Sequence, residues 1–167
     1  RNISVVINEK DVKKALNSLH ERFFEDNTKQ LNLFVMGVGN VGEKFIDQIN
    51  QQKKFLKENL KINVRVIAMS NSRKMFFDED GMNLKDWKSL LENGENANVS
   101  QFIEKAKSLN LRNSIFVDIT ANENVSKTYD QFLKQNIAVV TCNKIACSSA
   151  FDNYKNLKNL SRQFKAP

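Results

Sequence analysis

The sequence contains few of the residues that break, bend or cross-link a chain. One proline and five glycines in 167 residues exclude collagen-like repeats and glycine- or proline-rich linkers. The two cysteines, Cys142 and Cys147, stand so close together that a disulfide between them would close a small loop and add little stability. We therefore expect both to be free thiols, buried as small hydrophobic side chains.

Histidine and long apolar segments are also scarce. The single histidine, His20, has no cysteines beside it, so a zinc-type ligand set is missing and we predict no protein-bound metal. No apolar run approaches the roughly 20 residues that cross a bilayer, and the N-terminal residues lack the hydrophobic stretch of a secretory signal. We expect no membrane contact and a cytoplasmic location.

Basic residues outnumber acidic ones, 26 to 19, for a formal net charge of +7. A basic surface can indicate a nucleic-acid partner, because it displaces counterions from phosphate. The lysines are scattered along predicted helical faces, without a basic run interleaved with aromatic residues. This distribution is typical of a solvated surface, and we predict no nucleic-acid partner.

Strand and helix patterns alternate from residue 31 onward. Short β-branched segments predict strands at 31–36, 62–69, 114–118 and 137–141. Apolar residues at helical spacing predict helices at 41–55, 98–109 and 125–134. The alternation predicts an α/β fold, with a parallel sheet that carries helices on both faces.

A last helix is predicted after Ser148 and Ser149, whose hydroxyls are suited to capping its first turn. Its apolar residues recur at helical spacing, and we expect them in the core. They are Phe151, Tyr154, Leu157, Leu160 and Phe164.

The first 26 residues form a separate unit in this interpretation. They predict a strand at 3–7 and then a helix that Asn8 caps, with Asp11 in its first turn. A lone strand and helix cannot bury both faces, so we expect this piece to dock on another structure. The polar residues 25–30 are expected to be a connector.

The most informative stretch is a predicted strand that runs into G-x-G-x-x-G and then into an amphipathic helix. Gly37 permits a tight turn, Gly39 leaves room for a pyrophosphate, and Gly42 allows close packing of the helix. The first helical turn offers unpaired N–H groups to phosphate. A Rossmann-type dinucleotide site is therefore predicted at Gly37, Val38, Gly39, Asn40, Val41 and Gly42. The alternatives are a structural glycine turn or another nucleotide-like ligand.

The end of the second strand bears on the choice of dinucleotide. NAD sites commonly place an acidic residue there to hold the ribose hydroxyl, and this sequence has none. Ser70, Asn71, Ser72 and Arg73 instead offer hydroxyls, an amide and a cation suited to a 2′-phosphate. NADP (NADPH) is favoured over NAD, although this segment is also compatible with a plain solvated loop.

The third and fourth strands end in further candidates, because ligands of open α/β sheets lie outside the carboxyl ends of the strands. Thr120 and Ala121 are suited to line a cofactor, whereas Asp118 and Asn122 are equally suited to satisfy turn and cap donors. Asn143 and Lys144 follow the fourth strand. A strand-end lysine near a nicotinamide could handle an alcohol proton during hydride transfer, but most lysines are surface residues.

Five motifs in this order resemble the nucleotide-binding half of homoserine dehydrogenase: LFVMGVGNVG (33–42), SNS (70–72), NLKDW (83–87), VDIT (117–120) and VVTCNK (139–144). The NLKDW element and the long segment before the second strand resemble the bifunctional aspartokinase/homoserine dehydrogenases in particular. In those proteins a regulatory ACT-type domain precedes the dehydrogenase. Residues 1–26 look like its last strand and helix with the start of a linker, and 27–167 like the NADP-binding domain.

The resemblance implies a reversible NADPH-dependent reduction of aspartate 4-semialdehyde to homoserine, on the route to threonine and methionine. Lys144 matches the family's strand-end lysine beside nicotinamide and substrate. The position before Asn143 is usually proline in relatives and is Cys142 here. The implied partners are an N-terminal kinase and regulatory part and a C-terminal substrate domain, in a full-length homo-oligomer. Without them the chain is expected to bind NADP but not to turn over homoserine.

A second hypothesis is a non-catalytic NAD(P)-sensing module, which would use the glycine turn without chemistry at Lys144. A glycine-turn methyltransferase predicts an acidic residue at the end of the second strand, and none is present.

Overall fold

Six strands form one mixed sheet in the computed structural model, which describes residues 3–23 and 28–167. They are β1 (Lys29–Met36), β2 (Ile62–Ser70), β3 (Lys74–Phe77), β4 (Glu95–Asn96), β5 (Ser114–Asp118) and β6 (Ala138–Thr141). Four of them, β1, β2, β5 and β6, pair in parallel and confirm the strands predicted from the sequence. Their order is β2-β1-β5-β6, so the order reverses on passing from β1 to β5. This reversal creates the crevice where open α/β sheets bind ligands.

The antiparallel strands β3 and β4 extend the sheet beyond β2 and were not predicted. The Asn71 side chain turns the chain back after β2, since its Oδ1 accepts the N–H groups of Arg73 at 2.8 Å and Lys74 at 2.7 Å. The sheet is therefore parallel only in its central part. The α/β architecture itself is confirmed.

Eight α-helices are described: α1 (Val12–Phe23), α2 (Asn40–Leu60), α3 (Trp87–Glu92), α4 (Val99–Ser108), α5 (Glu123–Ser126), α6 (Tyr129–Leu133), α7 (Ile145–Ser148) and α8 (Phe151–Phe164). The single helix predicted at 125–134 is wrong, because α5 and α6 occupy this region as two short helices. The hydroxyls of Ser126 and Thr128 donate to the carbonyls of Glu123 and Val125. Such side-chain bonds compete with a continuous helix.

The core lies on both faces of the sheet, as predicted. Along β1, Leu33 and Val35 pack with residues of α2 and α3 on one face. Phe34 and Met36 pack with residues of α4 and α6 on the other. This alternation follows from the two-residue period of a strand, and a strand buried on both faces is apolar at nearly every position.

The N-terminal segment differs from the prediction. No strand forms at 3–7, where Ile3 and Val6 are almost fully exposed, because no described strand lies beside this segment to pair with it. The helix that follows does form, with Asn8 capping the turn before it. It contacts the sheet domain through an ion pair of Lys13 with Glu79, and its apolar residues Leu16, Leu19 and Phe23 are exposed. The predicted boundary near residue 26 lies outside the described residues.

Three predictions at the C-terminal end are also wrong, at least in part. Ser148 and Ser149 do not cap α8, because they end α7 and the residue before α8 is Ala150, which makes no side-chain cap. Leu160 is buried, but Phe151 is 71% exposed and Tyr154 is partly exposed, because no described element covers that part of the helix face. Both cysteines are free, as expected, yet exposed rather than buried. They follow β6, which is the outermost strand on its side of the sheet.

Phe132 tests the packing of the α4–α6 face. Its ring is fully buried and stacks on Phe116 with centroids 4.0 Å apart. Phe132→Ala is expected to lower the free energy of unfolding by about 3–5 kcal/mol, because it removes apolar contacts and leaves a cavity. Urea unfolding followed by the fluorescence of the single tryptophan, Trp87, measures the change. Phe151→Ala is the matched control and should cost less than about 0.5 kcal/mol; equal losses would contradict the packing described.

Candidate functional site

A cleft of about 580 Å³ opens at the carboxyl ends of β1, β2 and β5. Eight of the residues predicted for the site line it: Gly37, Val38, Gly39, Ser70, Asn71, Ser72, Arg73 and Thr120. The sequence interpretation missed other parts of the lining, notably Ala97, Asn98 and Val99 where β4 leads into α4. Asn98 was recognisable as a helix cap, but its place in the cleft depends on the antiparallel strands.

The glycine turn has the geometry that each glycine requires. Gly37 adopts φ +100°, in the region where a side chain is strained. A Cβ on Gly42 would lie 2.6 Å from the carbonyl oxygen of Gly37, so only glycine lets α2 begin this close to the turn. A Cβ on Gly39 would meet no atom within 4 Å, because this position borders the open cleft.

The start of α2 faces this turn. The carbonyl of Ser70 accepts the N–H groups of Gly37 at 2.8 Å and Val38 at 3.0 Å, which ties the turn to the end of β2. Gly39 is the N-cap and makes no side-chain cap, and the first N–H groups of a helix have no acceptor within it. These donors and the positive end of the helix dipole are suited to an anion. Asn40, Val41 and Gly42 supply this first turn, although they do not line the cleft.

Glu43 is the one acidic side chain in that turn. It accepts a 2.6 Å hydrogen bond from Lys88, and this bond, followed by the charge of Lys88, lowers the pKa of Glu43. The hydrogen bond with Glu43 also raises the pKa of Lys88. The pair is exposed, so its stabilising effect is small, but it neutralises a carboxylate next to the candidate anion site.

The turn after β2 presents cations at the other end of the cleft. Ser72 and Arg73 are exposed, and Arg73 makes no side-chain hydrogen bond or ion pair with the residues that the structure describes. A neighbouring cavity of about 490 Å³ shares Val38, Asn71 and Arg73 with the cleft and adds Lys74 and Lys88 to its wall. β2 ends at Ser70, and none of the residues Ser70, Asn71, Ser72 and Arg73 is acidic.

The third and fourth predicted strands bring their end residues to the same edge of the sheet. Asp118 is fully buried, and its Oδ1 accepts the Thr120 N–H at 2.7 Å. Asn122 caps α5, so both residues satisfy turn and cap donors, and Asn122 also lines the cleft. Ala121 is exposed beside it without lining the cleft.

Asn143 and Lys144 lie after β6, one strand farther from the glycine turn. Asn143 is buried, whereas Lys144 is exposed at the start of α7, and neither lines the cleft. No group of His, Cys, Asp and Glu side chains in the described residues could hold a metal ion. Within residues 3–23 and 28–167, no helix combines the length and apolarity needed to cross a membrane.

A glycine turn at the reversal point of a parallel sheet, followed by an uncapped helix, defines a dinucleotide-binding domain of the Rossmann type. Residues 37–166 match the family model described as homoserine dehydrogenase, NAD binding domain. The chain belongs to this family, as the motifs in the sequence indicated.

The relatives are longer proteins. The chain is 37% identical over 97% of its length to bifunctional aspartokinase/homoserine dehydrogenase 1, chloroplastic, from Arabidopsis thaliana. It is 37% identical over 95% to the bifunctional aspartokinase/homoserine dehydrogenase of Haemophilus influenzae. It spans only 18% and 19% of these two proteins.

Solved structures show the same fold. A hyperthermophilic archaeal homoserine dehydrogenase in complex with NADPH superposes with a TM-score of 0.64 at 21% identity. The match covers 82% of this chain and 42% of that one.

Two alanine substitutions in the glycine turn compare a tightly packed glycine, Gly42, with one that borders open space, Gly39. Gly42→Ala is expected to lower the free energy of unfolding by about 2 kcal/mol, because its methyl group meets the Gly37 carbonyl. Gly39→Ala, which makes the same chemical change beside empty space, should cost less than about 1 kcal/mol. Urea unfolding of the two variants measures both values. A Gly42→Ala protein as stable as Gly39→Ala would rule out the close approach.

Proposed function

We propose that this chain is the NADP-binding part of a homoserine dehydrogenase within a bifunctional aspartokinase/homoserine dehydrogenase. The observation that carries the proposal is the cleft itself, which has the open glycine turn and helix start at one end and the Arg73 turn at the other. The pyrophosphate would lie on the N–H groups of the glycine turn and α2. Thr120, which lines the cleft, would border the nicotinamide end, and Ala121 would lie next to it just outside the lining.

NADP is the proposed cofactor because of the chemistry at the end of β2. A 2′-phosphate is a dianion that needs donors and cations, and the exposed Ser72 and Arg73, with the Asn71 amide beside them, would supply both in the absence of a competing carboxylate. The Ser70 hydroxyl is buried and donates to the Asn71 carbonyl, so Ser70 would contribute through the shape of the turn. The guanidinium of Arg73 is not engaged elsewhere in the described residues and is therefore available to a phosphate. NAD would bind through the same glycine turn but would gain nothing from Arg73.

The proposed reaction is the reduction of aspartate 4-semialdehyde to homoserine, for threonine and methionine biosynthesis. The nicotinamide, when bound, supplies or accepts the hydride. Lys144 follows β6, which pairs with the end of β5. From there it would hold the proton that the substrate oxygen gains or loses. Asn143, next to it, anchors the loop that carries this lysine.

The rest of the reaction centre would come from segments that this chain does not contain. The exposed position of Lys144 suits a site that a following substrate domain closes. The outward apolar side chains of α1 suit a preceding regulatory domain of the ACT type, with the boundary near residue 26. We infer that the chain alone binds NADP without turnover, and that the full-length protein is a homo-oligomer. A cytoplasmic location belongs to the same proposal, although the Arabidopsis relative is described as chloroplastic.

Arg73→Ala tests the cofactor. The loss of a charge-assisted hydrogen bond should weaken NADPH binding by about 1.5–3 kcal/mol and leave NADH binding unchanged. Calorimetric titration of both nucleotides into the wild type and the variant gives the two differences. Arg162→Ala, which removes an exposed arginine of α8 far from the cleft, is the matched control. An equal loss of NADPH and NADH affinity in Arg73→Ala would contradict a 2′-phosphate contact.

Lys144→Ala tests the chemistry and separates an enzyme from a nucleotide-sensing module. In the full-length polypeptide it is expected to reduce dehydrogenase turnover by at least about 100-fold, as for loss of a group that transfers a proton. NADPH affinity should change little, because Lys144 does not line the cleft. Lys155→Ala, on the exposed side of α8, should retain full turnover. Unchanged turnover in Lys144→Ala would favour the sensing module.

A further inference from the structure

A buried polar cluster lies behind the carboxyl ends of β5 and β6 and takes no part in the nucleotide cleft. We call Asp118, Tyr129, Thr141 and Asn143 the strand-end cluster. Asp118 is fully buried, and Tyr129 and Asn143 are 3% and 4% exposed. Buried polar groups are costly unless they are hydrogen-bonded, so a cluster this close to the proposed reaction centre requires a physical explanation.

The carboxylate of Asp118 is the common acceptor. Its Oδ2 accepts the hydroxyl of Tyr129 at 2.5 Å and the side-chain amide of Asn143 at 3.2 Å. Its Oδ1 accepts the backbone N–H of Thr120. Thr120 forms part of the wall of the nucleotide cleft. Asp118 therefore links the cleft wall to the loop after β6.

Asn143 carries this link to both sides of Lys144. Its backbone N–H donates to Thr141 Oγ1 at 2.8 Å, and its Nδ2 also donates to the carbonyl of Asn122 at 3.0 Å. Its Oδ1 accepts the N–H of Ile145 at 3.1 Å. The residues before and after Lys144 are thus held, while the lysine side chain itself is exposed.

Tyr129 joins the two strand ends. Its hydroxyl donates to Asp118 and also lies 2.8 Å from Thr141 Oγ1. Burial, and then the hydrogen bond to Asp118, raise the pKa of the Tyr129 phenol, so the phenol keeps its proton and remains a donor. With that proton directed at Asp118, the Thr141 hydroxyl can donate to Tyr129 at 2.8 Å or, at 3.5 Å, to the carbonyl of Asn143.

We propose that Tyr129 is a positioning residue for the dehydrogenase reaction, which through Asp118 and Thr141 fixes the backbone on both sides of Lys144 relative to the Thr120 wall of the cleft. The proposal rests on the role proposed above for Lys144. A misplacement of about 1 Å in a reacting group can cost on the order of 100-fold in rate, whereas the glycine turn and the Arg73 turn lie on other strands. Loss of the hydroxyl should therefore affect turnover and spare nucleotide binding.

The test uses Tyr129→Phe in the full-length polypeptide. The ring, packed edge-on against Phe116, is retained and only the hydroxyl is removed. We expect kcat for homoserine oxidation to fall about 10- to 100-fold, while the Kd of NADPH from fluorescence titration stays within about 2-fold with unchanged stoichiometry. Tyr154→Phe, at the only other tyrosine, is the matched control and should leave both values unchanged.

A double-mutant cycle shows whether Tyr129 acts through Lys144. In a Lys144→Met background, Tyr129→Phe should cause no further loss in single-turnover hydride transfer. An undiminished loss there would overturn the positioning role and assign the effect to general destabilisation. Full turnover in Tyr129→Phe with loss in Lys144→Met would overturn the positioning role alone. Full turnover in Lys144→Met itself would overturn the proposed function as well.

Thr141→Val provides a second route if Tyr129→Phe does not fold. It removes the acceptor of the Asn143 N–H with little change in shape and should lower kcat without changing the Kd of NADPH. Thr141→Ser retains the hydroxyl and should restore kcat. Equal kcat values for the valine and serine variants would overturn the proposal.

Discussion

The first turn of α2 crosses the end of β1 with no room for a methyl group between Gly42 and the carbonyl of Gly37. This close approach sets where the helix begins, and therefore where its unpaired N–H groups point. The turn is also tied to β2 through the Ser70 carbonyl, so the glycine segment connects the end of β2 to the start of the helix. The cleft is a consequence of this junction, because its two ends are the glycine turn and the turn that leaves β2.

The central sheet could be predicted from the sequence, because its four parallel strands are short, mostly apolar segments rich in β-branched residues. The glycine turn could also be predicted, since the G-x-G-x-x-G pattern between a strand and a helix is typical of a phosphate-binding turn. The strands β3 and β4 could not. They are short, and the chain reverses before them through the Asn71 side chain rather than through a glycine or proline. The cleft wall at Ala97–Val99 was missed for the same reason.

Helical spacing shows which residues share a face but not what covers that face. Leu160 and Phe151 belong to the same pattern on α8, yet the first is buried and the second exposed. The exposed cysteines after β6 are a similar case, because burial at the outermost strand depends on elements that the local sequence does not encode. The division of 125–134 into α5 and α6 depends on the hydroxyls of Ser126 and Thr128. A pattern of apolar residues contains no information about such hydroxyl bonds.

The attachment of α1 has a consequence for the cooperativity of the molecule. Polar contacts between this N-terminal segment and the sheet domain include the exposed Lys13–Glu79 ion pair and the Asn110 side chain, which bonds Lys14 and Asp11. An exposed ion pair contributes about 0–1 kcal/mol and weakens with salt. The amide hydrogens of α1 would then exchange with solvent through a local opening far below the global free energy of unfolding. A higher ionic strength would weaken the attachment of α1 while the sheet stays intact.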